Sequence, residues 1–278
     1  MSTASRTGRL VLCATPIGNL EDVTLRVLGA LRAADVVACE DTRHTRVLLE
    51  RHGITPGELV SYHEHNERER AEVLVARMCA GATVALVSDA GTPLVCDPGY
   101  QLVRASVAEG IPVEVLPGPS AAITALVVSG LPVGGWCFVG FLPRRRSQLE
   151  DVLLECRQTL VAFESAKRLA GTLALLAAHD PARPVVVCRE LTKLHEEVRR
   201  GTAGELAEHY GEHPARGEVV LVLGGTPEQT MALEDALGAL RAVVAAGARA
   251  RPAATALAKL TGLHANELYR ELTRTVGS

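Results

Sequence analysis

Aromatic residues are scarce in this chain, at 3% of 278 residues, with one Trp, four Tyr and three Phe. This scarcity argues against a base-stacking surface of the kind that binds single-stranded nucleic acids. Positive charge is not in excess either, since 29 Lys and Arg face 32 Asp and Glu, for a net charge of −3. Any contact with nucleic acid must therefore depend on local groups of basic residues.

Several motifs and long segments are also missing. The first predicted strand is not followed by Gly-x-Gly-x-x-Gly, and there is no Gly-Lys-Ser/Thr P-loop, which argues against NAD binding and against an ATPase. The seven cysteines include no close Cys-x-x-Cys pair, so we expect buried free thiols rather than a zinc site or a disulfide framework. Neither a signal-peptide core nor a membrane-spanning apolar run is found, so we expect a cytoplasmic protein without membrane contacts.

Apolar residues make up 47% of the chain, enough for a sizeable core. Short apolar runs alternate with helical patterns, which predicts an α/β fold with a mainly parallel sheet and helices on both faces. The predicted strands are 9–13, 35–39, 59–62, 83–88, 112–116, 136–140, 160–164, 185–189, 197–200 and 218–223. The predicted helices include 24–34, 45–52, 67–80, 99–109 and one that Ser120 caps, ending at Gly130. Closely spaced strands near the end of the second half predict an antiparallel portion.

Pro117-Gly118-Pro119 interrupts this alternation and predicts a stiff boundary between two α/β domains. We therefore expect an N-terminal domain over 1–117 and a second α/β domain over 118–225. Residues 226–278 are predicted to be a linker and a small helical module. Within it, 251–275 resembles two short helices around Gly262.

The most informative stretch is 84–99, where an apolar strand ends at Ser88-Asp89 and a turn of small residues follows. Open α/β sheets bind ligands at such strand ends, and Gly91 lets the backbone approach a ligand closely. The alternative is a simple connection in which Asp89 caps a helix. A second turn, Asp97-Pro98-Gly99, is predicted to open the next helix.

Further polar loops follow other predicted strands, at 15–20, 40–45, 163–165 and 189–193, and all of them could meet at one rim of the two sheets. Six motifs along the chain are, in order, TPIGNL, EDTRHT, SDAGTPLVCDPG, LPGPSAA, GFLP and RELTK. In this order and spacing they closely resemble the ribosomal RNA small subunit methyltransferase I family, over roughly residues 9–225. The tail LAKLTGLHANELYREL is similar to the helical module of that family.

The resemblance implies two αβα domains of the tetrapyrrole methylase type, with S-adenosylmethionine in the cleft between them. It also implies a homodimer that methylates the ribose 2′-hydroxyl of a cytidine in the decoding region of 16S rRNA. We expect the substrate to be the assembled 30S subunit, since the target sugar must be accessible in a distorted strand. The residues expected to bind the cofactor are Pro16, Ser88, Asp89, Ala90, Gly91, Thr92, Pro93, Ser120, Ala121, Phe163, Glu164, Leu191 and Thr192.

A ribose hydroxyl is a poor nucleophile and benefits from a base or an orienting carboxylate. Asp41 and His44, with Glu40 behind them, are the expected catalytic residues, although Asp41 equally suits a helix N-cap. His63 and His65 flank Glu64, but no further ligand cluster accompanies them, so no metal site is expected.

Basic residues are the candidates for RNA contacts, and a solvated surface arginine is the alternative for each. They are Arg43, the loop run Arg144-Arg145-Arg146, Arg249 and Arg251. Two rival functions remain open. One is a small-molecule methyltransferase acting on a tetrapyrrole, and the other is a non-enzymatic RNA-binding factor that has kept a cofactor-like cleft.

Overall fold

The structure is a computed structural model that describes residues 8–226 and 233–275. The chain divides into two units, Met1–Gly224 and Gly225–Ser278. The first unit contains two five-stranded sheets. Part of the predicted polar linker, residues 227–232, lies outside the described residues.

The first sheet is entirely parallel, in the order β3-β2-β4-β1-β5. Its strands are β1 (Arg9–Cys13), β2 (Val36–Cys39), β3 (Leu59–Ser61), β4 (Thr83–Val87) and β5 (Val113–Leu116). The connecting helices are α1 (Leu25–Ala33), α2 (Thr42–Arg51), α3 (Glu67–Cys79) and α4 (Tyr100–Ala108). Parallel sheets of this kind are covered on both faces, which is why the central strands are continuous apolar runs.

Alternate residues of these strands belong to two separate hydrophobic cores, one on each face of the sheet. Val11 and Ala85 pack with α1 and α2 on one face. Leu10 and Leu86 pack with α3 and α4 on the other. The predicted parallel sheet with helices on both faces is thus confirmed.

The second sheet has the order β6-β7-β10-β8-β9 and is mostly antiparallel, with only the β6–β7 pair parallel. Its strands are β6 (Trp136–Phe141), β7 (Thr159–Ser165), β8 (Pro184–Arg189), β9 (Glu197–Thr202) and β10 (Glu218–Leu223). Its helices are α5 (Ala121–Ser129), α6 (Arg146–Glu155), α7 (Ala166–His179) and α8 (Ala203–Glu212). The expected antiparallel portion is confirmed, and Ser120 caps α5 by accepting a hydrogen bond from the Ile123 N–H.

Two local predictions were wrong. Helix α2 begins at Thr42 rather than at residue 45, because the Asp41 side chain caps it by accepting from the Arg43 N–H. The arginine run is not wholly a loop, since Arg146 is the first residue of α6 and Arg145 is its N-cap residue.

The second unit contains α9 (Leu233–Ala245), α10 (Ala250–Thr261) and α11 (Ala265–Thr275). These helices pack around Leu237, Leu240, Ala254, Leu268 and Leu272. Gly262 ends α10 in the left-handed conformation, at φ 71°. Two short helices around Gly262, as predicted, are therefore present.

Within residues 8–226 and 233–275, no helix combines the length and apolar character needed to span a bilayer.

Candidate active site

The candidate site lies at the carboxyl ends of the parallel strands, where the loops after β1 and β4 meet. Thr15 and Gly91 form an isolated β-bridge, and the Thr15 hydroxyl donates to the Ser88 carbonyl at 3.0 Å. Gly91 has φ +84°, a conformation that favours glycine. The predicted turn after β4 is thus fixed against the loop after β1.

A cavity of about 780 Å³ opens beside this turn. This volume lies in the usual range for small-molecule sites. It is lined from the first sheet by Ile17, Asp89, Ala90, Gly91, Thr92, Val95, Cys96 and Asp97, and from the second by Ser120, Ala121, Phe141, Phe163, Glu164, Ser165, Ala166, Lys167 and residues 215–220. Loops from both sheets therefore converge on one cavity.

Many of the cofactor-binding residues predicted from the sequence line this cavity. They are Asp89, Ala90, Gly91, Thr92, Ser120, Ala121, Phe163 and Glu164. Pro16, Ser88, Pro93, Leu191 and Thr192 are not among the lining residues, and their binding role stays a prediction.

Two of the residues outside the lining, Ser88 and Thr192, make hydrogen bonds that support its walls. The Ser88 hydroxyl donates to the Gly91 carbonyl at 2.9 Å, which closes the turn. The Thr192 hydroxyl accepts from the Asn19 N–H at 3.0 Å, and so joins the loop after β8 to the loop after β1. Ile17, rather than its neighbour Pro16, reaches the cavity.

Aromatic side chains form the apolar wall on the second sheet. Phe163 packs edge-on against Phe138 and Phe141, with ring centroids 5.0 and 5.4 Å away. Phe141 is 66% exposed although it lies in a strand. Sequence reasoning missed Phe141, whose place at the cavity depends on the register shift between Phe138 and Phe141.

Asp89 links the cavity to the expected catalytic residues. Its Oδ1 accepts from the Asp41 N–H at 3.0 Å, and its Oδ2 lies 3.1 Å from His44 Nδ1. Asp89 therefore stabilises the start of α2 and does not cap a helix of its own. Asp41, His44 and Glu40 are not among the residues that line the cavity. Asp41 and His44 are connected to it through their contacts with Asp89.

Asp41 is held by Arg43. The guanidinium donates to both carboxylate oxygens, with Nη2 2.6 Å from Oδ2. These hydrogen bonds from Arg43 hold the pKa of Asp41 well below its usual range. A carboxylate held this firmly in its charged form is better suited to capping and orientation than to accepting a proton.

Two further carboxyl groups near the site have raised pKa values. Burial, followed by the charge of Asp89, raises the pKa of Glu40. Burial, followed by the charge of Glu40, raises the pKa of Asp97 to about 6. Asp97 was not singled out from the sequence as a site residue, because Asp97-Pro98-Gly99 indicated only the start of a helix.

Glu164 lines the cavity, but its carboxylate points into the protein. The Thr172 hydroxyl donates to Glu164 Oε2 at 2.6 Å, and Arg168 Nη2 lies 3.4 Å from the same oxygen. The Glu164 side chain is only 1% exposed. Its polar atoms therefore position Arg168 and α7.

Basic side chains occur at the cavity and near β6. Lys167 and Arg216 belong to the lining. Arg144 and Arg145 are exposed, whereas Arg146 pairs with Glu150 at 2.9 Å. In the second unit, the Arg251 guanidinium lies 5.6 Å from the ring centroid of Tyr269, and Arg249 is the N-cap residue of α10.

The pair His63 and His65 has ring centroids 6.0 Å apart. Asn66 Nδ2 lies 3.3 Å from His63 Nε2. Among the described residues, no three His, Cys, Asp or Glu side chains are arranged to hold a metal ion.

Comparison with known proteins identifies the family. A model of the Tetrapyrrole (Corrin/Porphyrin) Methylases matches residues 9–207. The chain is 48% identical over 270 residues to Ribosomal RNA small subunit methyltransferase I of Mesorhizobium japonicum, covering 95% of this chain and 90% of that protein. It is 45% identical to the protein of the same name from Escherichia coli O157:H7, covering 95% and 94%. The chain belongs to the ribosomal RNA small subunit methyltransferase I family.

Solved structures agree with this assignment and identify the cofactor. A uroporphyrin-III-C-methyltransferase from Thermus thermophilus aligns with a TM-score of 0.56 at 27% identity, covering 79% of this chain and 94% of that one. Uroporphyrin-III C-methyl transferase from the same organism, complexed with S-adenyl homocysteine, aligns with a TM-score of 0.56 at 26% identity, covering 78% and 97%. This member of the ribosomal RNA small subunit methyltransferase I family is an S-adenosylmethionine-dependent methyltransferase with the tetrapyrrole methylase fold.

The residues at the cavity suit this cofactor. Ile17, Phe141 and Phe163 would offer an apolar surface to a nucleoside, and the Asp89 carboxylate would supply negative charge to a cationic cofactor. Gly91 has φ +84°, a conformation in which a side chain would be strained, although a Cβ there would make only ordinary contacts, 3.5 Å from Ile17 Cγ2 and 3.6 Å from the Pro119 carbonyl.

Proposed function

We propose that this enzyme methylates the ribose 2′-hydroxyl of a cytidine in the decoding region of 16S rRNA, and that it acts on the assembled 30S subunit in the cytoplasm. The observation that carries the proposal is the cavity lined by both sheets, whose walls contain most of the motifs shared with the ribosomal RNA small subunit methyltransferase I family. The names of the relatives support an RNA substrate.

The charges at the cavity fit a polyanionic acceptor. Lys167 and Arg216 belong to the lining, and the exposed Arg144 and Arg145 follow β6, which contributes Phe141. Because the net charge is −3, these local cations are what would attract phosphates. We propose Arg43, Arg249 and Arg251 as further RNA contacts.

The cofactor supplies a methyl group on a cationic sulfur, so the protein mainly has to position the acceptor and exclude water. We propose that Gly91, Ser120 and Phe163 contribute to the surface that holds the cofactor. Asp89 orients His44 and the start of α2, where Asp41 and Glu40 would order the acceptor sugar. Leu191 and Thr192 lie outside the cavity lining and contribute indirectly, by fixing the loop after β1.

A tetrapyrrole acceptor is the rival function, since the family model and the Thermus thermophilus structures bear that name. Identity of 48% to a ribosomal RNA methyltransferase, against 27% to a uroporphyrin-III-C-methyltransferase, favours RNA.

The test is transfer of labelled methyl from S-adenosylmethionine to 30S subunits, naked 16S transcript and uroporphyrinogen III in parallel. We expect rapid labelling of 30S subunits, slower labelling of the transcript and none of the tetrapyrrole. Labelling of uroporphyrinogen III alone would refute the proposed substrate, and stronger labelling of naked transcript would refute the preference for the assembled subunit.

We also propose a homodimer in which α5 contacts a second copy of the chain. Helix α5 is almost entirely apolar, yet Ile123 and Val127 are 47% and 73% exposed. A helix that is apolar all round is normally buried. The variant Val127→Arg should be monomeric by light scattering, whereas Val107→Arg, at a similarly exposed valine of α4, should leave the mass unchanged. A monomeric unaltered protein would contradict the dimer.

The boundaries 1–117, 118–225 and 226–278 remain our proposal for the domains. The two sheets lie on either side of Pro117-Gly118-Pro119, which supports the first boundary.

A further inference from the structure

Four carboxylates line the cavity, and three of them are already engaged. Both oxygens of Asp89 have partners at the start of α2. Glu164 is buried against Thr172 and Arg168. Glu218 Oε2 lies 2.9 Å from Lys193 Nζ.

Asp97 differs from these three groups. Its Oδ2 is buried and has no hydrogen-bond partner within the described ranges. A buried polar atom without a partner is costly, and folded proteins seldom retain one without a reason. Asp97 belongs to the cavity lining, so a bound ligand can supply the missing partner.

The backbone next to Asp97 is conformationally strained. Leu94 and Cys96 have φ of 71° and 67°, in the left-handed region that leucine and cysteine rarely adopt. Strain of this kind persists where the surrounding structure enforces it, and it is concentrated at functional sites.

Glu67 anchors the C-terminal end of the segment that runs from Leu94 to Gly99. Its Oε1 accepts from the Gly99 N–H at 3.0 Å and from the Gln101 N–H at 3.1 Å. Gly99 has φ +142°, which side chains rarely adopt, and a Cβ there would come within 2.7 Å of Leu94 Cδ1, so Leu94 would have to shift. The segment from Leu94 to Gly99 is therefore fixed rather than free to turn away from the cavity.

The charges around Asp97 favour its protonated form. Glu40, Asp89 and Cys96 are the titratable groups that interact with it, and none of them is a cation. Lys167 and Arg216 belong to the second-sheet side of the cavity lining. Burial and Glu40 raise the pKa of Asp97 to about 6, opposed by the neighbouring Ser88 hydroxyl. A group that titrates near neutral pH is an effective proton acceptor, in contrast to Asp41.

We propose that Asp97 is the catalytic residue that accepts the proton of the acceptor hydroxyl, an inference that rests on the proposed function. Transfer forms an oxygen–carbon bond and breaks the carbon–sulfur bond of the donor, whose electron pair stays on sulfur. The hydroxyl proton passes to Asp97 Oδ2 and from there to solvent.

A proton acceptor of this kind should lower the stability of the cofactor-free protein at high pH. The carboxyl binds its proton more tightly in the folded state, with a pKa of about 6 against a reference value of 3.8. Its contribution to stability is present below the lower value and is lost as the pH rises through the higher one. The neutral variant Asp97→Asn should therefore melt at a higher temperature than the unaltered protein at about pH 8, and the difference should shrink toward about pH 5.

The activity test uses single-turnover methyl transfer to unmethylated 30S subunits between about pH 5 and 9. Asp97→Asn should slow transfer by about 100-fold or more at neutral pH. It should also remove the rise in rate centred near the pKa of Asp97, about 6. Asp97→Glu should restore part of the rate, and Glu109→Gln, a neutralised carboxylate at the other end of α4, should behave like the unaltered enzyme.

The outcomes separate this inference from the proposed function. No transfer to 30S subunits by the unaltered enzyme would refute the function. Normal transfer with an unchanged pH profile in Asp97→Asn would overturn the role of Asp97 alone. A melting temperature for Asp97→Asn that is not raised at about pH 8 would also overturn it, whatever the substrate. Higher stability combined with slower transfer supports it.

Discussion

Asp89 and His44 follow the neighbouring parallel strands β4 and β2, and Asp89 Oδ2 lies 3.1 Å from His44 Nδ1. The other oxygen of Asp89 accepts from the Asp41 N–H. A cavity-lining carboxylate thereby sets the position of the helix that carries Asp41, Arg43 and His44. The loop after β4 and the start of α2 act as one unit.

Replacing Asp89 should weaken cofactor binding. The variant Asp89→Ala removes a charged acceptor at the cavity and frees the start of α2, so S-adenosylhomocysteine affinity should fall by about tenfold or more by calorimetry. His44→Ala is the matched control, because the His44 side chain is 69% exposed and should change affinity far less. Equal affinities for Asp89→Ala and the unaltered protein would contradict a cofactor role for Asp89.

Glu164 should matter for stability more than for binding. Truncation to Ala leaves Thr172 and Arg168 without their buried partner and should lower the free energy of unfolding by about 3 kcal/mol. Glu164→Gln keeps the shape and should cost less. Denaturant unfolding measures both effects. A stable Glu164→Ala variant that no longer binds S-adenosylhomocysteine would instead assign Glu164 a direct contact with the cofactor.

The arginines after β6 should contribute unequally to RNA affinity. Arg144→Ala and Arg145→Ala should each weaken 30S binding and reduce the slope of log affinity against log salt by about 1. Arg146→Ala should have a smaller effect, because Arg146 is already paired with Glu150. Filter binding over a range of salt concentrations compares the three variants, and identical slopes in all of them would contradict these contacts.

Much of the fold was predictable because its signals are local. The central strands are buried on both faces, so their sequences are mostly continuous apolar runs, such as residues 84–87 of β4. Ser120 was recognisable as a cap from its residue type. The start of α2 was misplaced because Asp41, four residues upstream of Thr45, caps the helix.

The site was harder to predict, because its chemistry depends on contacts between distant residues. Motif resemblance located the turn at Asp89 but not its bonds to α2. The burial of Asp97 depends on left-handed backbone at Leu94 and Cys96, which neither residue type favours. Phe141 reaches the cavity through an irregularity in strand pairing that no pattern indicates.

Two cysteines that are distant in sequence should form a disulfide on oxidation. Cys137 and Cys156 Sγ atoms lie 2.9 Å apart, although helix α6 separates them along the chain. Burial, followed by the hydrogen bond with Cys156 and then its charge, raises the pKa of Cys137 to about 11, so reaction should be slow near neutral pH.

Treatment with a mild disulfide oxidant should remove these two thiols together and raise the melting temperature reversibly, since a closed loop restricts the unfolded chain. Mass spectrometry of peptides identifies the pair. Cys137→Ser should abolish the change, and Cys79→Ser, at an exposed thiol, should not. A mass shift that survives in Cys137→Ser would contradict this pairing.

The chemical position of the transferred methyl group is the most direct test of 2′-O-methylation of 16S rRNA by this enzyme. 30S subunits from cells that lack this enzyme would be treated with the protein and labelled S-adenosylmethionine, and the rRNA then digested to nucleosides and mapped. We expect label in 2′-O-methylcytidine at one decoding-region nucleotide, in a linkage that resists alkaline cleavage. Label on a base, or none in 16S rRNA, would contradict it.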